Sequence, residues 1–170
     1  MKKKQAIKLG ITLVCILLVL VMCLPKKEPT KEEMVQEYWE NKEAFLYVRN
    51  YLARNDIMQI RRSTDDKIEL VVKGLEENMP LEDAEDELFV QYAHLLFDDL
   101  NYWVIYDSWT YKQNIQQLIF EKRTNKTYYY KNIIFCEDNL PPVNGMFFHE
   151  EQIDENWFYC EEDPLYMEGD

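Results

Sequence analysis

The sequence predicts an α+β protein: an N-terminal membrane helix, then two amphipathic helices packed on one face of an antiparallel sheet of about five to six strands. Three observations lead to this class. Residues 9–24 are uncharged and apolar, two later segments place apolar residues at helical spacing, and the second half of the chain is rich in β-branched and aromatic residues. Helices followed by a meander of strands favour an antiparallel sheet with its helices on one face.

The first 31 residues predict a membrane segment and a short tether. Lysines precede the apolar run, which favours a cytoplasmic N-terminus and an exported body. Sixteen residues of helix span about 24 Å, slightly less than a hydrocarbon core of about 30 Å. Residues 1–24 are therefore predicted to be an uncleaved signal anchor or transmembrane helix, and residues 25–31 (PKKEPTK) a polar tether.

Two other interpretations of this segment stay open. A lipoprotein signal would be cleaved before Cys23, which makes Cys23 a candidate lipidation site, with Leu20 in favour and the bulky Met22 against. A freely secreted protein would need a cleavage site flanked by small residues, and none is evident in the sequence.

A first amphipathic helix is predicted from residue 32 to about Arg54. Thr30 can cap it, and Glu32 and Glu33 complement the helix dipole in its first turn. One face carries the apolar residues Met34, Tyr38, Phe45, Val48 and Leu52. Three of them are seven residues apart, so a coiled-coil seam is an alternative to packing on a sheet.

A second helix is predicted after Asn78, because Pro80 suits a first helical turn. Acidic residues fill its opening turns, and an apolar stripe runs to Leu100. His94 lies near the apolar side and is interpreted as a packing residue, because the chain has no second histidine nearby.

The remaining segments predict strands. Residues 57–62 and 67–73 flank turn-forming residues and suggest a hairpin, although 67–77 also fits a helix. Further strands are predicted at residues 102–106, 115–122 and 127–136, with one or two short strands at 147–148 and 157–160. These elements define a single exported domain over residues 32–163, followed by an acidic tail at 164–170.

Charge and composition exclude several functions. The net charge is −13, but residues 1–27 hold six lysines and no acid, so residues 28–170 carry a net charge of −19. Such a body repels phosphate backbones, which argues against nucleic-acid partners. Four glycines and two serines cannot build a phosphate-binding loop, a dinucleotide fingerprint or a nucleophile elbow. No cofactor is predicted.

Candidate site residues are few. Cys136 and Cys160 each follow an aromatic residue near the end of a predicted strand, so they form a candidate disulfide if those strands are neighbours, or two separate buried thiols if they are not. The acids from Glu150 to Glu155 and Glu161 to Asp163 lack the order of a calcium loop and predict a solvated acidic surface, not a metal site.

Exposed aromatic residues could form a sugar- or peptide-binding strip. Its candidate members are Trp103, Trp109, Tyr128, Tyr130 and Trp157. Alternating strands should turn half of all aromatic side chains towards the core. The strip is therefore a weaker expectation for any one residue than a place in the core.

The overall pattern resembles small, uncharacterised, membrane-anchored or lipoprotein-like exported proteins of Gram-positive bacteria. The features that carry the resemblance are the lysine-rich apolar N-terminus, the strand pair around 123–126, the loop at Pro141-Pro142 and the ending WFYCEED at 157–163. The resemblance implies export and membrane attachment, and it implies no activity or site.

Three functions are compatible with these features. The first is a membrane-tethered acidic module that binds a protein or envelope component without catalysis. The second is an envelope hydrolase that uses paired carboxylates, with a cleft expected near Glu150, Asp154 or Glu161. The third is an accessory subunit of a membrane complex, which predicts a large exposed apolar patch.

Overall fold

The computed structural model describes residues 28–110, 115–123, 130–142 and 147–162. These residues form three α-helices and eight β-strands, with short 3₁₀ turns at Leu81–Asp83 and Glu137–Asn139 and a π-helical turn at Leu95–Asp99. The helices are α1 (Lys31–Glu40), α2 (Lys42–Arg54) and α3 (Glu87–His94). The strands are β1 (Ile57–Arg62), β2 (Ile68–Val72), β3 (Met79–Pro80), β4 (Val104–Thr110), β5 (Ile115–Arg123), β6 (Tyr130–Cys136), β7 (Phe147–Asp154) and β8 (Trp157–Glu162).

The eight strands form one antiparallel sheet in the order β3-β2-β1-β4-β5-β6-β8-β7. Most neighbours in space are also neighbours in sequence, as expected for a meander. The exceptions are the pairs β1–β4 and β6–β8, and the second of these leaves β7 at the edge.

One face of the sheet packs against the helices and forms the main core. Trp157 lies at its centre, with the rings of Tyr38, Phe45, Phe120 and Phe135 at centroid distances of 5.2 to 6.0 Å. Aromatic pairs at this spacing each contribute about 0.5–1.5 kcal/mol beyond the area they bury. This face accounts for the apolar stripes of all three helices.

The opposite face carries a smaller core. Ile119, Ile134 and Phe158 are cross-strand neighbours on β5, β6 and β8, and Cys136 and Cys160 complete the cluster. Because side chains alternate along a strand, these residues point away from the helices. Strands β5, β6 and β8 are therefore buried on both faces, which explains the nearly continuous burial of residues 131–136.

The start of α1 is attached to the end of the sheet formed by β6, β8 and β7. A capping box closes the helix, with Thr30 Oγ1 accepting from the Glu33 backbone N–H and the Glu33 carboxylate accepting from the Thr30 N–H. The Lys131 ammonium on β6 donates to the Pro29 carbonyl at 2.6 Å. Lys31 forms an ion pair with Glu151 on β7.

The predicted arrangement of two helices on a sheet of about five to six strands is wrong, because the described residues hold three α-helices and a sheet of eight strands. The predicted first helix is interrupted at Asn41, whose backbone (φ −119°, ψ 19°) is not helical and whose side chain caps the Glu37 carbonyl. The predicted second helix begins only at Glu87, where Asp86 is the capping residue.

Strand β3 was not predicted from the sequence, and β7 is longer than the short strand predicted at residues 147–148. The two-residue strand β3 pairs with β2 through Met79 and Pro80. Strand β7 continues from residue 147 through the acidic run to Asp154, and its position at the edge of the sheet leaves several of its charged side chains exposed.

The predicted membrane helix at residues 1–24 lies outside the described residues, as do Cys23 and the acidic tail at 164–170. Within the described ranges, none of the helices combines the length and apolar character that crossing a bilayer requires.

Candidate functional site

A groove of about 630 Å³ crosses the sheet face opposite the helices. Strands β1, β2, β4 and β5 form its base, and the turn after β1 forms one end. We call it the arginine groove, after its residues Arg61 and Arg123. Clefts of this size are within the usual range of about 300–1,000 Å³ for small-ligand sites.

Strand pairing assembles the base of the arginine groove from four separate segments. Arg61 on β1 is paired with Glu69 on β2 and with Val104 on β4, and Val104 is paired with Glu121 on β5. Each of these residues adjoins a buried core residue in sequence, so strand alternation turns it away from the helices. The result is a row across four strands spaced roughly 4.8 Å apart.

The arginines supply the positive charge of the groove. The Arg123 guanidinium carbon lies 3.8 Å from the Trp103 ring centroid, a cation–π stack that fixes its plane. Arg61 Nε lies 3.8 Å from Glu69 Oε2, and the Asn78 amide donates to that same oxygen at 2.9 Å. Both arginine side chains line the groove.

Arg62 follows Arg61 in sequence but has a structural role. Its guanidinium donates to the Phe97 carbonyl and to the carboxylates of Asp66 and Asp98 at 2.8 to 3.0 Å. These bonds join the β1–β2 turn to the π-helical turn after α3. Arg62 therefore closes the end of the groove and is less available to a ligand.

Glu121 is the groove residue with the most perturbed acidity. Burial raises the pKa of its carboxyl to about 7, and the charge of Glu162 acts in the same direction while Arg123 opposes it. A carboxyl of this kind is about half protonated at neutral pH, so it can both donate and accept a hydrogen bond. Perturbed carboxyls in clefts are candidates for binding or catalysis.

Buried polar side chains continue from Glu121 towards β8. Asn132 on β6 is the cross-strand partner of Glu121, and its amide donates to Glu162 Oε1 at 3.2 Å. Burial raises the pKa of Glu162, and this hydrogen bond opposes the rise. Both Asn132 and Gln117 are at most 1% exposed, and Asn132 Oδ1 and Gln117 Nε2 have no hydrogen-bond partner. Unpaired buried groups cost about 1–3 kcal/mol each, so this half of the face is not optimised for stability.

The acids expected to flank a cleft lie elsewhere. Asp154 accepts from the Tyr38 hydroxyl at 2.8 Å and pairs with Lys42; burial raises its pKa, but these two donors outweigh burial and hold the pKa below its usual value. Glu161 lies 4.0 Å from Lys131, and Glu150 is exposed on β7. None of the three lines the arginine groove.

Cys136 and Cys160 are free, buried thiols. Cys160 is the cross-strand partner of Asn132, four residues from Cys136 along β6. Four residues of strand span roughly 13 Å, beyond the Cα separation of about 7 Å that a disulfide tolerates. Burial raises the pKa of both thiols, to about 12 for Cys136, so neither is a reactive thiolate at neutral pH.

The members of the predicted aromatic strip do not lie together. Trp157 is in the main core, Trp103 carries the arginine stack of the groove, and Tyr130 is half-buried on β6. The Trp109 side chain and Tyr128 lie outside the described residues.

His94 Nδ1 lies 2.7 Å from Asp98 Oδ2 on the same helical segment. Among the described side chains, no group of three His, Cys, Asp or Glu residues converges in a way that could hold a metal ion.

Comparison of the chain with protein-family models, with curated proteins and with solved structures gave no match. The arginine groove is thus defined by geometry alone. Sequence reasoning missed Arg61, Glu121 and Arg123, because each is one charged residue among many. Strand alternation predicts their outward direction, but only the pairing of β1, β4 and β5 brings them together.

Proposed function

We propose that this protein is an exported module, tethered to the outer face of a cell membrane, that binds an envelope or protein ligand in the arginine groove without catalysis. The lysine-flanked apolar segment at residues 1–24 supports the location. The groove supports binding, because it combines an aromatic platform, two arginines and an adjustable carboxyl in one cleft.

The ligand group that suits the groove best is a carboxylate. Guanidinium groups bind carboxylates through paired N–H donors, and Arg123 is already oriented by its stack on Trp103. The body as a whole carries a net charge of −19, so it repels anions except where arginines concentrate. The single observation that carries the proposal is this local reversal of charge within a cleft.

Glu121 adds a pH dependence to the proposal. Below its pKa of about 7 the protonated carboxyl can donate to a ligand carboxylate, whereas above it two negative charges face each other. We expect carboxylate ligands to bind more tightly at pH 6 than at pH 8. In the variant Glu121→Gln, which donates at both pH values, this difference should be lost.

The test is a binding titration of the full-length protein in detergent micelles. The probes are poly-L-glutamate, which carries peptide carboxylates, and polygalacturonate, which carries sugar carboxylates. Arg123→Ala and Arg61→Ala should each weaken the preferred probe about tenfold or more, since charged hydrogen bonds contribute about 1.5–3 kcal/mol. Arg54→Ala removes an exposed arginine at the end of α2 and is the matched control. Equal affinities of all three variants and the parent would contradict the proposal.

The membrane attachment has a separate test, the intact mass of the protein extracted from membranes of its host. An uncleaved anchor predicts the mass of all 170 residues. A lipidated Cys23 predicts a shorter chain with added acyl groups, and a shorter chain without them would indicate free secretion.

Hydrolysis with paired carboxylates is the second candidate function, and one observation favours it. Glu121 has the pKa of a general acid and lies close enough to Glu162 for their charges to interact. This hypothesis requires that the protein cleave polygalacturonate or another glycan. The variant Glu121→Gln should then abolish turnover while the glycan still binds. Absence of turnover with any bound glycan would leave binding as the function of the groove.

A further inference from the structure

A second cavity of about 190 Å³ opens on the helix-covered face of the sheet. It lies where the end of α2 meets the start of β1 and the ends of β4 and β6, and the sheet itself separates it from the arginine groove. We call it the end pocket. Its volume is below the range of about 300–1,000 Å³ for drug-sized ligands, so it suits a smaller molecule.

The floor of the end pocket is apolar and belongs to the main core. Leu52, Ile57, Leu118 and Phe135 form it, and they retain 3%, 5%, 8% and 9% exposure. Deeper core residues on the same elements, such as Val48, Ile60 and Ile133, retain none. The pocket therefore reaches the edge of the core, where a small part of each floor side chain stays accessible.

The rim of the end pocket carries two opposite charges, Asp107 and Lys73, that do not form an ion pair with each other. Asp107 on β4 accepts from Gln116 Nε2 at 3.1 Å, and partial burial raises the pKa of its carboxyl. In the described part of the chain no cation lies within 4 Å of it, and Lys73 at the end of β2 likewise has no carboxylate within 4 Å. Strand β1 runs between the two, so roughly two strand spacings of 4.8 Å separate their backbones.

Three further charged residues line the end pocket, Arg49, Asp56 and Glu137, and Arg49 is already engaged. The Arg49 guanidinium carbon lies 4.1 Å from the Phe135 ring centroid, and its nitrogens contact Asn50 Oδ1 at 2.8 Å and Glu137 Oε1 at 3.6 Å. Arg49 therefore forms one side of the end pocket, and its guanidinium is already engaged by groups of the protein. Asp107 and Lys73 are an anion and a cation on opposite sides of the apolar floor. Asp56 adjoins Lys73, whose backbone N–H donates to the Asp56 carbonyl, and in the described part of the chain its carboxylate has no cation within 4 Å.

We propose that the end pocket binds an α-amino acid with an apolar side chain. Its ammonium pairs with Asp107, its carboxylate pairs with Lys73, and its side chain covers the floor formed by Leu52, Leu118 and Phe135. A zwitterion bridges charges that the protein keeps apart, and it satisfies both without adding net charge to an acidic domain. This site is independent of the arginine groove and of the function proposed for it.

The test is calorimetric titration of the full-length protein in detergent micelles with four probes. L-Leucine should bind saturably. N-Acetyl-L-leucine lacks the ammonium and glycine lacks the apolar side chain, so both should bind about tenfold or more weakly than leucine. L-Leucinamide lacks the carboxylate and should also bind more weakly, by a factor that disappears in Lys73→Met.

Two matched pairs of variants separate the site from general effects of charge. Asp107→Asn should weaken leucine about tenfold or more, and Lys73→Met should do the same, whereas Asp65→Asn and Lys67→Met change exposed charges in the β1–β2 turn and should leave binding unchanged. Arg61→Ala and Arg123→Ala should also leave leucine binding unchanged. Circular dichroism of each variant confirms that it is folded.

Three results would overturn the proposal: no saturable binding of leucine, unchanged binding in Asp107→Asn, or binding of leucinamide as tight as that of leucine. The last result would indicate that the pocket takes the N-terminal residue of a peptide instead, because a peptide has no carboxylate at that position. Titration with leucyl-glycine would then identify that ligand.

Discussion

The two faces of the sheet bury polar side chains under different conditions. On the helix-covered face, Lys122 donates to both carboxylate oxygens of Glu37 at 2.7 Å, and Tyr38 donates to Asp154. Apart from the Tyr102 hydroxyl, the described polar side chains buried on that face are paired. On the opposite face, Gln117 and Asn132 keep buried polar atoms without partners.

The two faces therefore differ in the number of buried polar atoms that lack a hydrogen-bond partner, among the described residues one on the helix-covered face and two on the opposite face. An interior polar group with a partner adds about 0.5–1.5 kcal/mol to stability, whereas an unpaired group costs about 1–3 kcal/mol. On the opposite face the two unpaired atoms lie on β5 and β6, the strands that carry Glu121 and its cross-strand partner Asn132. Substitutions on the two faces should therefore have opposite effects on stability.

The largest expected effect is on the helix-covered face. Trp157→Ala removes the ring at the centre of the aromatic core and should lower the free energy of unfolding by about 4 kcal/mol. Trp39→Ala, at a ring that is 49% exposed on α1, is the matched control and should cost about 1 kcal/mol or less. Urea denaturation measures both. Similar losses would mean that the core is not centred on Trp157.

Removing one partner of the buried ion pair should have the next largest effect. Glu37→Ala leaves the Lys122 ammonium buried without a counter-charge, and burial already lowers the pKa of Lys122. We expect a loss of about 2–3 kcal/mol, reduced from the value for fully buried pairs because Glu37 is partly exposed. The double variant Glu37→Ala, Lys122→Met should recover more than half of it in the same denaturation assay. A double variant less stable than Glu37→Ala would show that the pair is not coupled.

On the opposite face, Glu121 should make stability fall as pH rises. Its pKa is about 7 in the folded protein, against a usual 4.5 when unfolded, so the folded state holds its proton more tightly. The stability this provides is fully present below pH 4.5 and is lost as pH rises to about 7. The two pKa values differ by an amount equivalent to about 3 kcal/mol, which solvent screening at this partly exposed carboxyl reduces to about 2 kcal/mol.

Denaturation of the parent protein and of Glu121→Gln at pH 4.5 and pH 8 measures this effect. The parent should lose about 2 kcal/mol more than the variant between the two values. Glu69→Gln, at a neighbouring groove residue bonded to Asn78, is the control and should follow the parent. Parallel curves for the parent and Glu121→Gln would disprove the raised pKa.

The smallest effect should be a gain. Gln117→Met replaces a buried amide that lacks one hydrogen-bond partner with an apolar side chain of similar shape, so stability should be unchanged or rise by about 1 kcal/mol. Gln116→Met, at the exposed neighbour that donates to Asp107, should lower stability slightly. If Gln117→Met lost more than about 1 kcal/mol, the amide would have an important partner after all.

Sequence periodicity predicted the individual elements better than their number. The apolar stripes from Met34 to Leu52 indicated helix, and the alternation around Ile119 indicated strand, because burial on one face imposes a period. The break at Asn41 depends on a single side-chain cap that competes with the helix, so the periodicity continues through it. Strand β7 is an edge strand with acids along it, and its composition resembles a loop.

The candidate site was less predictable than the fold. Thirty-two acids give no reason to choose Glu121, whose raised pKa arises from burial and from Glu162, which lies forty-one residues later in the chain. The same limit applies to Asp107 and Lys73, which are separated in sequence and join one pocket only through the order β2-β1-β4. Long-range strand pairing determines both sites, and a single sequence does not specify that pairing.

The attachment of α1 to the sheet also determines how the domain would carry a mechanical load. A pull on the chain before residue 28 reaches the Pro29 carbonyl and Lys31 first, and passes through Lys131 and Glu151 into β6 and β7. Tension would therefore be resisted across the ladders of β6, β8 and β7 before α1 could unravel. Arg61 and Val104 lie on β1 and β4, beyond β5 on the unloaded side of the sheet. The part of the arginine groove built on β1, β2 and β4 is thus separated from the load by β5.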